Sequence, residues 1–128
     1  GKNQNKEKLL PKIIKCIKNN KKISIFGDGL NERDWVFVRD NCRAIDLIYE
    51  DGNSGEKYNV GSGKSISNIE LVKYILNLVC KDDMIKFVED RYGHDFRYSV
   101  NTDKIKNSLG WKPQTNIFEY LKNNLGDL

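Results

Sequence analysis

The sequence predicts a small α/β domain in which short strands alternate with amphipathic helices. Apolar residues recur at helical spacing in several segments, and short apolar runs rich in Ile and Val separate these segments. A length of 128 residues is enough to bury one core but is short for two domains. We therefore expect one domain over residues 1–128, without an internal linker or repeat.

The amino-terminal segment predicts a helix followed by a strand. Apolar residues recur from Leu10 to Ile17 on one helical face, with lysines on the opposite face. Pro11 suits the first turn of this helix, where a missing N–H costs nothing. Residues 23–26 alternate in the manner of a strand, and a glycine-rich turn at residues 27–29 follows them.

The next segment predicts a second strand and a second helix. Residues 35–38 form a short apolar run typical of a strand, and Asp40 or Asn41 is placed to cap the helix after it. The residues predicted to face the core from this helix are Cys42, Ile45, Ile48 and Tyr49.

The second half of the chain continues the alternation. Residues 57–60 and 85–88 are predicted strands. Between them, the spacing of Ser67 and Glu70 predicts a capping box at the start of a long helix. Two more helices are expected at residues 102–109, ended by Gly110, and at residues 117–125.

Several classes of protein are excluded by composition. No run of about 18 apolar residues could span a bilayer, and no charged and apolar leader is present, so we expect a soluble, cytoplasmic chain. The sequence begins with Gly1, and its only methionine is Met84. We therefore expect a piece of a longer protein.

The cysteines and the histidine do not suggest a metal site. Cys16, Cys42 and Cys80 are far apart and form no Cys-x-x-Cys pair, and His94 is the only histidine. We expect the three cysteines to be small buried hydrophobes in a reducing compartment.

Positive charge is concentrated at the amino terminus. Residues 1–22 contain eight lysines and one glutamate, whereas the whole chain has a net charge of +4. The remainder is therefore acidic. A solvated helix face explains this pattern better than a nucleic-acid patch.

The glycine-rich segments do not complete a nucleotide-binding motif. A P-loop ending at Lys64 would need glycine at position 58, which is Tyr58. Neither glycine pair, at 27 and 29 or at 61 and 63, has the third glycine of a dinucleotide fingerprint. None of the six tyrosines is followed four residues later by lysine, as a short-chain dehydrogenase requires. The oxidoreductase machinery is absent from this sequence.

Five short motifs stand in order along nearly the whole chain. They are Gln4-x-x-Glu7-Lys8-Leu9-x-Pro11, Gly27-Asp28-Gly29-x-Asn31-x-Arg33-Asp34-Trp35-x-x-Val38, Gly55-Glu56-x-Tyr58-Asn59-Val60-Gly61, Asp90-Arg91-x-Gly93-His94-Asp95-x-Arg97-Tyr98 and Leu109-Gly110-Trp111-Lys112-Pro113. Together they resemble the carboxy-terminal half of the dTDP-glucose 4,6-dehydratases, which belong to the extended short-chain dehydrogenases. Each motif alone is weak.

The resemblance implies a substrate-binding lobe without its Rossmann half. In that family this lobe closes over the nucleoside diphosphate of the sugar substrate. NAD, the catalytic groups and the homodimer contact belong to the amino-terminal half. The implied reaction is oxidation at C4 of the sugar by NAD, loss of water across C5 and C6, and return of hydride to C6. By this comparison the fragment alone is inactive, and it has no catalytic residue.

The resemblance also implies which residues bind the substrate. Arg33 would grip the diphosphate, because a guanidinium fork can donate two hydrogen bonds to it. Arg33 could instead be a loop arginine paired with Asp28 or Asp34. The full set implied to line the nucleotide site is Lys8, Leu9, Ser24, Ile25, Phe26, Arg33, Asn59, Arg91 and His94.

Four positions depart from the family pattern. Ser24 and Phe26 replace the usual proline and tyrosine beside the base, which leaves the base preference open. Tyr92 and Phe96 replace a proline and an arginine in the loop around His94.

Two other functions stay open on the sequence. The same lobe occurs in nucleotide-sugar epimerases and decarboxylases, and the catalytic residues that would separate these enzymes lie outside this sequence. The lysine-rich first helix would instead suit a non-catalytic module that binds a nucleotide or nucleic acid.

Overall fold

The computed structural model describes residues 3–125, so the predicted domain limits at 1 and 128 lie outside the described residues. The described part is the predicted α/β arrangement. The helices are α1 (Leu9–Lys18), α2 (Val38–Asp51), α3 (Asn68–Leu78), α4 (Asp103–Leu109) and α5 (Ile117–Asn124). The strands are β1 (Ile23–Phe26), β2 (Glu32–Asp34), β3 (Ser65–Ser67), β4 (Ile85–Val88) and β5 (Arg97–Tyr98).

The strands form two small sheets. In the first, β1 pairs in parallel with β4, with Phe26 opposite Val88. In the second, β2 lies in the middle, antiparallel to β3 and parallel to β5. Arg33 on β2 lies opposite Ile66 on one side and Tyr98 on the other. The loop at residues 89–96 joins the two sheets, so it lies beside the end of β1 and the centre of β2.

The observed ends of α1, α3 and α4 agree with the predicted ones. Helix α1 starts after Lys8 and has Pro11 in its first turn. The Oγ atom of Ser67 accepts a hydrogen bond of 3.2 Å from the N–H of Glu70, which confirms the capping interaction of α3. Helix α4 ends at Gly110, whose φ of 67° places it in the left-handed region that favours glycine.

Two apolar clusters hold the described elements together. A smaller cluster joins α2 to α4 through Ala44, Ile105 and Trp111. The larger one lies between the first sheet and the helices α1, α3 and α5. Its buried members are Leu10, Ile13, Ile23, Ile25, Ile66, Leu71, Val72, Ile75, Leu76, Met84 and Leu121.

Two predicted strands are wrong. The segment at 35–38 is not a strand, since β2 ends at Asp34 and Val38 already begins α2. Residues 35–37 are partly buried, with Trp35 against the larger core and Val36 against the smaller one, whereas Val38 is exposed. Residues 57–60 also form no strand, because no strand in the described part of the chain pairs with them.

The predicted inner face of α2 is wrong except at Ile48. Cys42, Ile45 and Tyr49 are exposed, the last two by 56% and 90%. The helix packs through Ile48 together with Ala44 and Leu47, which were not predicted. The helix carries two apolar faces, and the face with Ala44, Leu47 and Ile48 packs in the smaller cluster. The other face, the outer stripe of Val38, Cys42, Ile45 and Tyr49, is exposed and packs against no element within residues 3–125.

The predicted cap of α2 and the predicted burial of the cysteines need correction as well. Phe37 precedes the helix, and Asp40 lies in its first turn. The buried carboxylate of Asp40 accepts the N–H groups of Gln114 and Thr115. Cys42 and Cys80 are exposed, because one lies on the outer stripe of α2 and the other follows the end of α3. None of the helices between residues 3 and 125 is long and apolar enough to cross a membrane.

Candidate functional site

A polar cluster lies in the loop at residues 89–96, centred on the imidazole of His94. The Nδ1 atom of His94 is 2.7 Å from Oδ1 of Asp90. Its Nε2 atom is 2.8 Å from Nη2 of Arg91 and 3.2 Å from Nη2 of Arg33. The side chain of His94 is only 6% exposed. One buried imidazole therefore contacts a carboxylate on one side and two guanidiniums on the other.

The contacts of His94 define its tautomer. A guanidinium has only hydrogen-bond donors, so the Nε2 atom must accept from Arg33 and Arg91. The proton of the neutral ring then lies on Nδ1 and is donated to Asp90. In this tautomer His94 links one carboxylate to two cations.

Asp90 is the residue that orients His94, and the sequence analysis did not identify it. The hydrogen bond from His94 is the main cause that lowers the pKa of the Asp90 carboxyl. The N–H of Arg91 also donates to this carboxylate, at 2.8 Å. The spacing of an aspartate four residues before the only histidine was a signal that could have indicated the pair.

Arg33 reaches the cluster from the centre of β2. Its Nη1 atom donates to the carbonyl of Glu32 at 2.6 Å, and its Nη2 atom donates to the carbonyl of Asp95 at 3.0 Å. The guanidinium also lies over the ring of Tyr98, 4.6 Å from the centroid. Arg33 therefore fastens the loop to the second sheet while it adds a positive charge.

Arg91 and Phe26 form the second side of the cluster. The guanidinium of Arg91 lies 4.8 Å from the centroid of the Phe26 ring at the end of β1. The edge of the same ring faces His94, with the two ring centroids 6.3 Å apart. Because Phe26 is half-buried, its ring restrains the side chains of Arg91 and His94.

The two guanidiniums of the cluster are not bound to its carboxylates. Among residues 3–125, neither Arg33 nor Arg91 forms an ion pair with a carboxylate. The carboxylate of Asp95 accepts a hydrogen bond from the hydroxyl of Tyr98, and this bond raises the pKa of the Tyr98 phenol. The carboxylate of Asp90 is bound to His94, so both guanidiniums lie side by side without a directly bound counter-charge. Such a surface suits an anion with two adjacent negative charges.

The structure brings together four of the nine predicted site residues, namely Phe26, Arg33, Arg91 and His94. Among the described contacts, none joins the other five to this cluster. Lys8 and Leu9 lie at the start of α1, Ser24 and Ile25 lie on β1, and Asn59 donates to the carbonyl of Asn101 at 3.2 Å. The side chain of Ile25 is buried in the core, so it offers only backbone to a ligand.

The glycine-rich loop at 61–63 is occupied by a carboxylate of the protein itself. Oδ1 of Asp34 accepts the N–H of Ser62 at 2.7 Å, and Oδ2 accepts that of Gly63 at 3.3 Å. A Cβ atom at Gly61 would lie 2.5 Å from Oδ2 of Asp34, so the close approach requires glycine. The loop therefore has no free N–H groups at these positions for a phosphate, in agreement with the rejected P-loop.

The glycine turn at residues 27–29 does not fit the pyrophosphate of NAD. The turn at Gly27 and Gly29 packs against side chains, since a Cβ at Gly29 would lie 2.7 Å from Cγ2 of Ile25 and 2.9 Å from Cβ of Ile69. A pyrophosphate needs free backbone at such a turn. In the described part of the chain, the glycine turns serve packing instead.

The family follows from a comparison with family models. The model described as GDP-mannose 4,6 dehydratase matches residues 1–124. The chain belongs to this family. Relatives of the chain include dTDP-glucose 4,6-dehydratases, which confirms the resemblance seen in the sequence motifs.

Comparisons with individual proteins support the assignment of this chain to the 4,6-dehydratase family. The low-salt glycan biosynthesis protein Agl12 of Haloferax volcanii is 46% identical over 89% of the chain and 37% of its own length. The crystal structure of dTDP-glucose 4,6-dehydratase from Bacillus anthracis, solved in complex with NAD, is 39% identical with a TM-score of 0.89. That match covers 96% of this chain and 39% of that one.

A third relative has another activity. The structure of UDP-glucose 4-epimerase from Thermotoga maritima, solved with UDP-glucose, is 29% identical with a TM-score of 0.82 and covers 90% of this chain and 37% of that one. The chain thus spans 37% to 39% of the length of these three relatives.

Proposed function

We propose that this chain is the nucleotide-sugar-binding part of an NAD-dependent 4,6-dehydratase acting on dTDP-glucose or a similar substrate. Membership of the 4,6-dehydratase family supports the reaction class. The dTDP-glucose 4,6-dehydratase from Bacillus anthracis supports the substrate and the cofactor. The observation that carries the proposal for this chain is the pair Arg33 and Arg91 on one imidazole.

The pair of guanidiniums matches the chemistry of a sugar diphosphate. A nucleoside diphosphate sugar carries two adjacent negative charges, and charge-assisted hydrogen bonds to guanidinium are among the strongest in proteins. Arg91 is exposed and can turn its free N–H groups toward such an anion. Arg33 already donates to loop carbonyls, so it must exchange the bond to Asp95 for one to phosphate in order to grip the ligand.

The remaining predicted residues define the rest of the proposed pocket. The exposed face of β1 leads from Ser24 to Phe26, whose ring can meet a nucleotide base. Ile25 contributes backbone, and Lys8 and Leu9 stand at the positive end of α1. Asn59 would approach the ligand from the segment before Gly61. A structure with bound nucleotide sugar tests these five assignments, namely Lys8, Leu9, Ser24, Ile25 and Asn59.

The oxidation and reduction steps belong to the longer protein. The net reaction removes one water from the sugar, and NAD supplies transient oxidation at C4 when it is bound. No residue of this chain is assigned to that chemistry, and we propose that the chain alone has no turnover. The binding of NAD and the catalytic groups are assigned to a Rossmann half that lies outside the chain, and we place the enzyme in the cytoplasm.

The outer stripe of α2 is the proposed contact with that other half. Val38, Ile45 and Tyr49 recur at helical spacing, and all are more than half exposed. A stripe of large apolar side chains over three helical turns usually meets another apolar surface. The relatives are more than twice as long as this chain. We therefore propose that the stripe contacts the part of the full-length protein that lies outside this chain. We also propose that the homodimer forms through that other part.

An epimerase is the second candidate, supported by the 29% identical epimerase structure. The product mass separates the alternatives. Full-length protein containing this chain is incubated with NAD and, in separate reactions, dTDP-glucose, UDP-glucose or UDP-glucuronic acid, and the products are analysed by mass spectrometry. A dehydratase yields a product lighter by one water, an epimerase a product of unchanged mass, and a decarboxylase acting on a uronic acid sugar loses carbon dioxide. Only the first result supports the proposal.

A nucleic-acid or nucleotide-binding module is the third candidate. A groove of about 620 Å³ lies along α1 and is lined in part by Lys6, Lys15, Ile14 and Tyr120. Its cationic rim would suit a phosphate backbone. The cluster at His94 lies on other elements, so the two candidates use different residues and can be separated by substitution.

A further inference from the structure

We propose that His94 is a positioning residue that aims Arg33 and Arg91 at the substrate diphosphate only while its imidazole is neutral. Binding of the nucleotide sugar then weakens when the ring takes up a proton. This inference rests on the proposed function and assigns a regulation to the same site. It follows from two features of the cluster. One is the lone pair that two arginines share, and the other is the fixed orientation of the ring, whose Nδ1 atom is anchored and whose side chain is confined.

The first feature is the shared acceptor. Both arginine Nη2 atoms point at Nε2 of His94, at 2.8 and 3.2 Å. Arg91 belongs to the loop of His94, whereas Arg33 belongs to β2, 61 residues earlier in the chain. A single ring nitrogen therefore brings two cations from different elements together, although they repel one another. The ring of Phe26 also lies against Arg91, but among the described contacts Nε2 of His94 is the group that contacts both arginines.

The second feature is that the ring has no alternative orientation. Its Nδ1 atom is bound to Asp90, its side chain is 6% exposed, and the ring edge of Phe26 lies against it. A flip would place Nε2 toward Asp90 but would leave Nδ1 to face the guanidiniums. One nitrogen must therefore always meet two donors.

Protonation removes the acceptor. The imidazolium has a proton on each nitrogen, so Nε2 would face two guanidinium donors without a lone pair and with an added positive charge. The charged and titratable groups around the ring are Asp90 and Arg91 from its own loop, Arg33 from β2, and the mutually bonded Asp95 and Tyr98. Asp90 favours the imidazolium and the two arginines oppose it. Proton uptake must therefore displace at least one arginine.

The direction of the pH effect distinguishes this role from direct contact with the ligand. A histidine that touches the diphosphate binds it more strongly once protonated, because it gains a positive charge and a donor. A histidine that accepts from two arginines has the opposite effect. Lower pH therefore strengthens binding in the first case and weakens it in the second.

The experiment measures by calorimetry the affinity of the full-length protein for dTDP-glucose after NAD has been removed, so that the sugar binds without being converted. The pH runs from about 8 to about 5.5, where histidines ordinarily titrate. The diphosphate of this probe is esterified at both ends, so its own charge stays constant over the range. We expect the affinity to fall about tenfold or more toward low pH, the size of one lost charge-assisted hydrogen bond. The matched variant His94→Gln has a carbonyl that accepts from arginine but takes up no proton, and its affinity should be nearly independent of pH.

Two further results complete the test. Arg91→Ala should bind more weakly at pH 8 and should lose most of the pH dependence, which keeps the inference testable if His94→Gln does not fold. An affinity that rises toward low pH, or an equal pH dependence in wild type and His94→Gln, overturns the positioning role while the proposed function stands. No binding of dTDP-glucose at any pH overturns both.

Discussion

The Nδ1 atom of His94 lies 2.7 Å from Oδ1 of Asp90, in a loop that holds two arginines on the other side of the same ring. This pair links the charge of a carboxylate to the position of the guanidiniums. It also makes the stability of the loop depend on the protonation of Asp90, whose pKa is lowered mainly by the hydrogen bond from His94.

The first prediction concerns stability in acid. Because the folded pKa of Asp90 is lowered, its ionised form adds stability above the unfolded pKa, near 3.9 for an ordinary aspartate. That contribution is lost as the pH falls through the lower folded pKa. We expect wild type to lose more unfolding free energy between about pH 7 and about pH 3 than Asp90→Asn does. Urea unfolding at a series of pH values measures the difference.

The control for this acid titration is Asp46→Asn, which removes an exposed carboxylate from α2. Its stability should follow the wild-type curve. If Asp90→Asn and Asp46→Asn show the same dependence on pH as wild type, the Asp90–His94 bond does not contribute to the stability of the fold.

The second prediction concerns Asp34 and the loop at 61–63. Asp34→Ala leaves the N–H groups of Ser62 and Gly63 without their acceptor, and we expect a loss of about 1–3 kcal/mol in unfolding free energy. Asp28→Ala is the matched control, since within residues 3–125 Asp28 accepts one hydrogen bond, from the exposed N–H of Leu30. Its loss should stay below about 1 kcal/mol. Equal losses in the two variants would mean that the loop is held by something other than Asp34.

The third prediction tests the larger core. Leu71 on α3 is fully buried, so Leu71→Ala should cost about 2–5 kcal/mol through lost burial and the cavity left behind. Leu30→Ala makes the same change at a residue that is 49% exposed, and it should cost about 1 kcal/mol or less. Thermal or chemical unfolding compares them. A Leu71→Ala variant as stable as Leu30→Ala would contradict the described packing of α3.

The sequence predicted the helices well because each carries its own signals. The periodicity of α1, the Ser67 cap of α3 and the glycine that ends α4 depend on residues a few positions apart. Strands depend on partners, and that is where prediction failed. The apolar run at 35–38 gave no sign that the polar segment Glu32–Asp34 pairs with two other strands instead.

The candidate site was only partly predictable for the same reason. Arg91 and His94 stand three residues apart, so their proximity follows from spacing alone. Arg33 joins them across two sheets, and only the family resemblance placed it there. The role of Asp90 depends on which ring nitrogen faces which partner, which a sequence does not specify. The outer stripe of α2 misled the prediction, because periodicity identifies an apolar face without naming its partner.

The central claim is that Arg33 and Arg91 bind the diphosphate of a nucleotide sugar. Calorimetric titration of the NAD-free full-length protein with dTDP-glucose at two salt concentrations tests it most directly, because the sugar is then not converted. The account predicts saturable binding that dTDP displaces, that falls about tenfold or more in Arg91→Ala, and that is unchanged in the control Lys15→Ala on α1. The contrary result is weak binding that falls steeply as the salt concentration rises. Such binding would be unchanged in Arg91→Ala and lost in Lys15→Ala, and it would contradict the claim.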